Sequence, residues 1–277
     1  MSSSSDAASP LPARTPGLPT RVPQPRQGGR HRRPDSHELP EAAKPLILAV
    51  PGPANGELLA LVGEVALLAG ADLPGLDIRP VVIEEDGTDL AAVLHGAPAA
   101  VVVPLLLGPN AAATARTDAA LAAAEGEFQR CGVLGPHPLL AEVLHERLSE
   151  AGLARADRAR LFSVATAAEG IVLVTDGGPE AVAAAEVTGV LLAARLALPV
   201  MTADLGDPKT VVAAAERLRE MGAGSIALAP HILGPDVEAG RIAEVAEQAG
   251  CTAAGPIGAH TAVARLILHK YLEACGR

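Results

Sequence analysis

His231, Asp236 and Glu238 fall within eight residues of one another, directly after the apolar run Ile226-Ala227-Leu228-Ala229-Pro230. An imidazole with two carboxylates at that spacing is a donor set for a divalent ion. A neutral imidazole suits first-row metals, carboxylates add charge, and the imidazole also titrates near neutral pH. The same trio also arises by chance in a pocket wall or on a solvated loop, and both readings stand on the sequence alone. His137 and His260 form a second pattern: each follows a Gly-containing turn (Leu134-Gly135-Pro136, Ile257-Gly258-Ala259) and precedes an apolar helical stretch. Their repetition favours a structural duty, capping or packing at a helix entry, over catalysis.

Other polar residues fit blander roles. His145 and His269 lie inside helical patterns beside charged residues and read as parts of exposed helix faces. His95 precedes Gly96 near a helix end, where a cationic side chain complements the helix dipole. Asp176-Gly177-Gly178-Pro179-Glu180 joins a strand to a helix, yet it lacks G-x-G-x-x-G spacing and a P-loop lysine, and its carboxylates repel an anion. It reads as a helix-entry turn. Asn55 before Gly56 reads as the cap of the first helix. Asp204, Asp207 and Glu57 have no spacing that marks an acid/base pair.

These residues need strands and helices to hold them. From Pro45 onward, apolar or β-branched runs alternate with stretches of helical period. Strands are predicted near 46–50, 78–83, 99–103, 131–134, 171–175, 198–203, 225–229 and 252–255. Helices are predicted near 56–69, 88–95, 112–127, 138–151, 179–196, 208–221, 237–249 and 261–274. Strand followed by helix throughout implies an α/β fold with parallel sheets covered on both faces. Ligands of such sheets sit outside the carboxyl ends of the strands, which directs attention to Pro51 to Asn55, Gly108 to Ala112, Asp176 to Glu180 and His231 to Glu238.

The body is duplicated. Pro104-Leu105-Leu106-Leu107-Gly108-Pro109 and Pro230-His231-Ile232-Leu233-Gly234-Pro235 are both P-x-x-L-G-P leaving a strand. The His137 and His260 segments match in the same way, as do Leu46 to Gly52 and Ile171 to Gly177, all at nearly one offset. The division is therefore a tail over 1–44, a first half over 45–152 and a second over 165–277, the halves facing a central cleft. Because the duplication supplies internally the two halves that a single-repeat chain would assemble by dimerising, a monomer is expected.

Composition narrows the function. The tail is rich in Pro, Ser and Arg and cannot bury enough apolar area to offset its ordering entropy, so it is expected to be disordered. Its cluster Arg30-His31-Arg32-Arg33 suits a solubilising extension or a contact to an acidic surface. The chain carries a net charge of −10 with the tail itself basic, no Trp, one Tyr and two Phe. A nucleic-acid partner is not expected, because phosphate binding needs a basic face and base stacking needs aromatic rings. Three cysteines without a C-x-x-C pair fit a reducing compartment. No apolar run reads as a membrane span or secretory signal, which points to a cytoplasmic protein without membrane partners.

The strand-exit segments, with Leu134-Gly135-Pro136-His137-Pro138-Leu139-Leu140-Ala141-Glu142-Val143-Leu144 and the repeat Gly258-Ala259-His260 with Ala264-Arg265-Leu266-Ile267-Leu268, resemble the CbiX-type sirohydrochlorin chelatases, class II chelatases, in their long two-repeat form. The resemblance covers about residues 45–275. It implies two chelatase-like halves about a cleft and insertion of divalent cobalt or iron, as substrate, into a sirohydrochlorin-type tetrapyrrole of siroheme or cobalamin metabolism, with no organic cofactor. It also places Pro51, Gly52, Asn110, Ala112, Asp176 and Gly177 along the cleft. The family's first metal-binding histidine falls at Pro51 and its second at Ala112, and the second half offers Val237 at the equivalent of the latter. Family relatives tend to carry an aromatic at the position of His231. The resemblance thus leaves two readings: a chelatase rebuilt on His231, Asp236 and Glu238, or a descendant that has lost metal insertion and binds a tetrapyrrole or another small ligand in a regulatory role.

Overall fold

A computed structural model of the chain describes Leu39 and residues 43–52, 54–83, 88–97, 99–154, 168–235, 237–238 and 240–276. Of the tail, Leu39, Ala43 and Lys44 fall among these, and the expectation of disorder for the rest lies outside the described residues.

The first half runs β1 (Leu46–Pro51), α1 (Gly56–Asp72), β2 (Ile78–Ile83), α2 (Thr88–His95), β3 (Ala99–Pro104), α3 (Ala111–Ala123), β4 (Glu127–Arg130) and α4 (Pro138–Glu150). The second repeats it as β5 (Gly170–Thr175), α5 (Gly178–Leu196), β6 (Val200–Asp204), α6 (Pro208–Glu220), β7 (Ile226–Pro230), α7 (Arg241–Gln248), β8 (Thr252–Ala253) and α8 (Thr261–Ala274). Each half holds a four-stranded parallel sheet of the same order, β2-β1-β3-β4 and β6-β5-β7-β8. The α/β fold of two similar parallel halves is thus observed.

Alternation along the strands builds three cores. In β1, Leu46, Leu48 and Val50 face inward to a core that also takes Ile171 and Leu173 of β5. Ile47 and Ala49 face outward to Leu90 and Leu94 of α2. In β5, Val172 and Val174 face outward to α6 and α7. Strands buried on both faces explain why the central ones read as continuous apolar runs.

The inward core is shared because the last helices are exchanged between halves. α4 packs on α5 and β7, whereas α8 packs on α1 and β3. Arg147 of α4 adds two hydrogen bonds, donating from Nε and Nη2 to the Ile257 carbonyl at 3.1 and 2.8 Å.

Three sequence expectations need correction. The fourth strand lies at Glu127–Arg130, not 131–134. It is an edge strand whose polar residues carry no apolar signal, and Cys131 and Leu134 beyond it are buried while their N–H groups bond the carbonyls of Val102 and Leu106. Helix α7 begins at Arg241, not near 237, after Gly240 in a left-handed conformation at φ 86°. His145 is not on an exposed face: it is 5% exposed, and Nε of Arg195 on α5 donates to its Nδ1 at 2.8 Å.

Candidate functional site

The carboxyl ends of both sheets gather at a small cavity of about 40 Å³ between the halves. Leu105 to Gly108 and Asn110 line it from the first half, and Thr175, Asp176, His231 and Ile232 from the second. His231 follows β7, and its N–H donates to the Val174 carbonyl at 2.7 Å, which fixes the side chain at the strand end. It is 3% exposed, and neither ring nitrogen has a hydrogen-bond partner among the described residues. Burial pushes this imidazole down to about 4, so at neutral pH it is an uncharged donor with a free lone pair.

Asp176 stands at the cavity mouth. Lost hydration around its carboxyl raises its pKa, the charge of Asp204 adds to the rise, and the Gly177 N–H opposes it. Asp204 ends β6 opposite Thr175 and holds the following turn by accepting the Gly206 N–H at 2.9 Å. Imidazole and carboxylate thus differ in aptitude. A base with a pKa near 4 takes a proton poorly at pH 7, whereas a carboxylate with a raised pKa takes one more readily than usual.

The walls meet at Gly177. It sits at φ 121°, and a Cβ there would lie 2.9 Å from the Pro109 carbonyl oxygen and 3.1 Å from the Ala181 Cβ. Across this contact Asn110 caps α3, its Oδ1 accepting the Ala113 N–H at 3.0 Å. Asn55 caps α1 in the same way through the Leu58 N–H at 2.8 Å.

A second, larger cavity of about 730 Å³ opens at the ends of β1, β7 and β8. Asn55 and Glu57 line one side, and Gly234, Pro235, Val237, Glu238, Ile242 and Pro256 line much of the other. The β7–α7 loop therefore serves both cavities, with His231 in the smaller and Glu238 in the larger. Asp236 lies outside the described residues. Among the described residues, no group of three His, Cys, Asp or Glu side chains converges as a metal cage. Pro51 is half-buried at the end of β1, Gly52 follows it, and Ala112 is exposed on the first turn of α3. These three line neither cavity.

His137 and His260 are the N-caps of α4 and α8. Each accepts an N–H through Nδ1 at 3.1 Å, from Leu139 and Ala262 respectively. The cysteines are all free, and burial raises that of Cys131 to about 11. Sequence reasoning missed Asn110 as a cap, the exchange of α4 and α8, and the part of Asp176. The aspartate's position after β5 was the one available signal.

Residues 85–151 match the CbiX family model. Among solved structures, SirB from Bacillus subtilis with Fe3+ is 18% identical, with a TM-score of 0.60 over 83% of this chain and 95% of that one. The structure of CbiX, the terminal enzyme for biosynthesis of siroheme in denitrifying bacteria, is 16% identical, with a TM-score of 0.57 over 83% of this chain and 99% of that one. No curated protein matches the sequence. The resemblance to CbiX-type chelatases is thereby found in both the family match and the fold. No described helix is long and apolar enough to cross a membrane.

Proposed function

We propose that this chelatase-like protein binds a tetrapyrrole of the sirohydrochlorin type at the carboxyl ends of its sheets and receives divalent cobalt or iron, as substrate, through His231. One observation carries the reading: a buried, neutral imidazole without a hydrogen-bond partner among the described residues, facing the small cavity that Asp176 also lines. Metal ligation requires a deprotonated imidazole, and a pKa near 4 leaves no competing proton at neutral pH. Asp176 complements it, since its raised pKa suits it to accept protons released by the pyrrole nitrogens. The cavity beside His231 has room for an ion, while a macrocycle needs the larger one, whose 730 Å³ falls in the range of roughly 300–1,000 Å³ usual for cofactor sites. A single imidazole donor leaves most coordination positions open, which suits a metal that must be handed on.

A second reading has its own observation. Pro51 and Ala112 occupy the places where the family resemblance puts histidines, and neither side chain ligates a metal. On that basis the protein is a non-catalytic tetrapyrrole-binding descendant that serves regulation. Anaerobic metallation of sirohydrochlorin with cobaltous or ferrous ion, followed by absorbance, separates the two. Acceleration over the protein-free rate that His231→Ala abolishes supports metal insertion. A rate equal to the uncatalysed control, with the tetrapyrrole still bound, supports the descendant.

A further inference from the structure

A second carboxylate stands beside the small cavity without lining it. Asp204 ends β6 and pairs in register with Thr175 of β5, one residue before Asp176. Lost hydration and then the charge of Asp204 raise the Asp176 pKa, which puts the two carboxylates within each other's field. The turn after β6 fixes Asp204: its Oδ1 accepts the Gly206 N–H at 2.9 Å, and its own N–H donates to the Thr210 hydroxyl at 3.0 Å. Among the described residues neither carboxylate forms an ion pair. Arg241 of α7 comes to this turn, yet it directs Nη2 at the Gly206 carbonyl, 3.4 Å away.

Two carboxylates held together without a cation carry a repulsion that an incoming positive ion relieves. The pair alone would mean little. His231 gives it direction, because that imidazole is 3% exposed, has no partner for either ring nitrogen among the described residues, and lines the cavity whose mouth Asp176 occupies. The two places suit different states of one ion. Exposed carboxylate oxygens take a divalent cation with much of its water shell in place, as in magnesium sites. A cavity of about 40 Å³ holds an ion and little else, so a cation reaching His231 must first shed water. Carboxylate oxygens can replace those waters while still balancing the charge. Asp176 belongs to both places.

We infer that Asp204 and Asp176 form a capture site for the hydrated divalent cation, and that the ion passes from it, by way of Asp176, to His231. The inference rests on the metal-receiving reading above and adds its point of entry. Asp176 then has two successive duties: it hands the ion to the imidazole, and only afterwards is it free to accept a proton.

The test uses the full chain at pH 7 and cobaltous ion alone, mixed rapidly under anaerobic conditions and followed by ligand-field absorbance. His231→Ala should abolish the band of the inner site. Asp204→Asn removes the charge but keeps the bond to Gly206, since an amide oxygen also accepts, and its fold is checked by circular dichroism. It should slow the appearance of the band at least about tenfold at low ionic strength and leave the final band unchanged. In wild type the rate should fall as salt is added. Asp207→Asn is the control, because it removes an equal charge from the same turn and can still cap α6; its rate should stay within about twofold of wild type. A wild-type rate in Asp204→Asn, equal slowing in Asp207→Asn, or a wild-type rate indifferent to salt overturns the inference and leaves the metal-receiving reading intact. Absence of a cobalt band in wild type, or a band that His231→Ala leaves unchanged, overturns that reading itself, and this inference with it.

Discussion

His231 and Leu105 occupy equivalent positions of the duplicated fold and meet at one cavity. The Leu105 N–H donates to the Ala49 carbonyl at 2.8 Å and the His231 N–H to the Val174 carbonyl at 2.7 Å, the same bond in each half. Both side chains are buried and both line the small cavity, one as hydrocarbon and the other as imidazole. The scaffold therefore tolerates an apolar side chain at this position, and the imidazole is a departure confined to one half.

That departure makes stability depend on acid. An unfolded chain protonates His231 near 6.5, whereas the folded one does so only near 4. Above pH 6.5 both states are neutral and stability is flat. Between 6.5 and 4 the unfolded state alone gains a proton, so stability falls with pH, by about 3 kcal/mol in all. His137 contributes in the same sense, because burial, with the charges of His269 and Lys270, lowers its pKa. Urea denaturation across this range should show the loss, and His231→Leu should remove most of it. An unchanged pH profile in His231→Leu would show that the acid sensitivity lies elsewhere.

The two capping histidines have diverged in their outer contacts. His260 accepts the Ala262 N–H through Nδ1, which places its proton on Nε2, 3.0 Å from the Glu146 carboxylate on the exchanged helix α4. His137 faces His269 and Lys270 instead. His260→Ala should cost about 1 kcal/mol by loss of the cap, and His260→Asn should retain most of it, as read from denaturation midpoints. At His137 the Asn substitution should be neutral or stabilising below pH 6.5, since it keeps an acceptor and removes a group that resists protonation.

Gly177→Ala should be costly. The left-handed φ of 121° and the 2.9 Å approach of a Cβ to the Pro109 oxygen together imply a loss of about 1–3 kcal/mol. The substitution should also part the two walls of the small cavity. A fall in thermal midpoint accompanied by faster hydrogen exchange at Asn110 and Ala113 would report it, whereas Gly178→Ala should fall in midpoint without that exchange. Gly178 has positive φ as well, with nothing within 4 Å of a Cβ.

Neither half should fold alone. Leu140, Val143, Leu144 and Leu148 of α4 are buried in the shared core, and α4 packs on α5 and β7 of the other half. Each such side chain is worth roughly 1.5–3 kcal/mol when buried. Residues 43–154 expressed separately should lack a cooperative thermal transition, and co-expression with 168–276 should restore one. A cooperative transition in the isolated half would contradict the role assigned to the exchange.

Much of this arrangement was legible in the sequence because two signals agreed. Period-two burial in β1 and β5 appears as apolar runs, and the P-x-x-L-G-P exits mark where those strands end. β4 was not legible, since Glu-Phe-Gln-Arg on a sheet edge has no apolar period, while Cys131 and Leu134 just beyond it do. His145 was misread because Glu142, Glu146 and Arg147 beside it suggest solvent, yet an exchanged helix is covered on a second side by α5. Repeats reveal which residues are equivalent and are silent on which half each helix lies against.

A body clasped at both ends by crossed helices has no free hinge on which to swing. Widening its mouth would require peeling α4 from α5 or α8 from α1, each a buried aliphatic seam. Traffic through the large cavity must therefore depend on local rearrangement of its rim. Gly234 and Gly240, both in left-handed backbone, bracket the part of that rim to which Glu238 belongs.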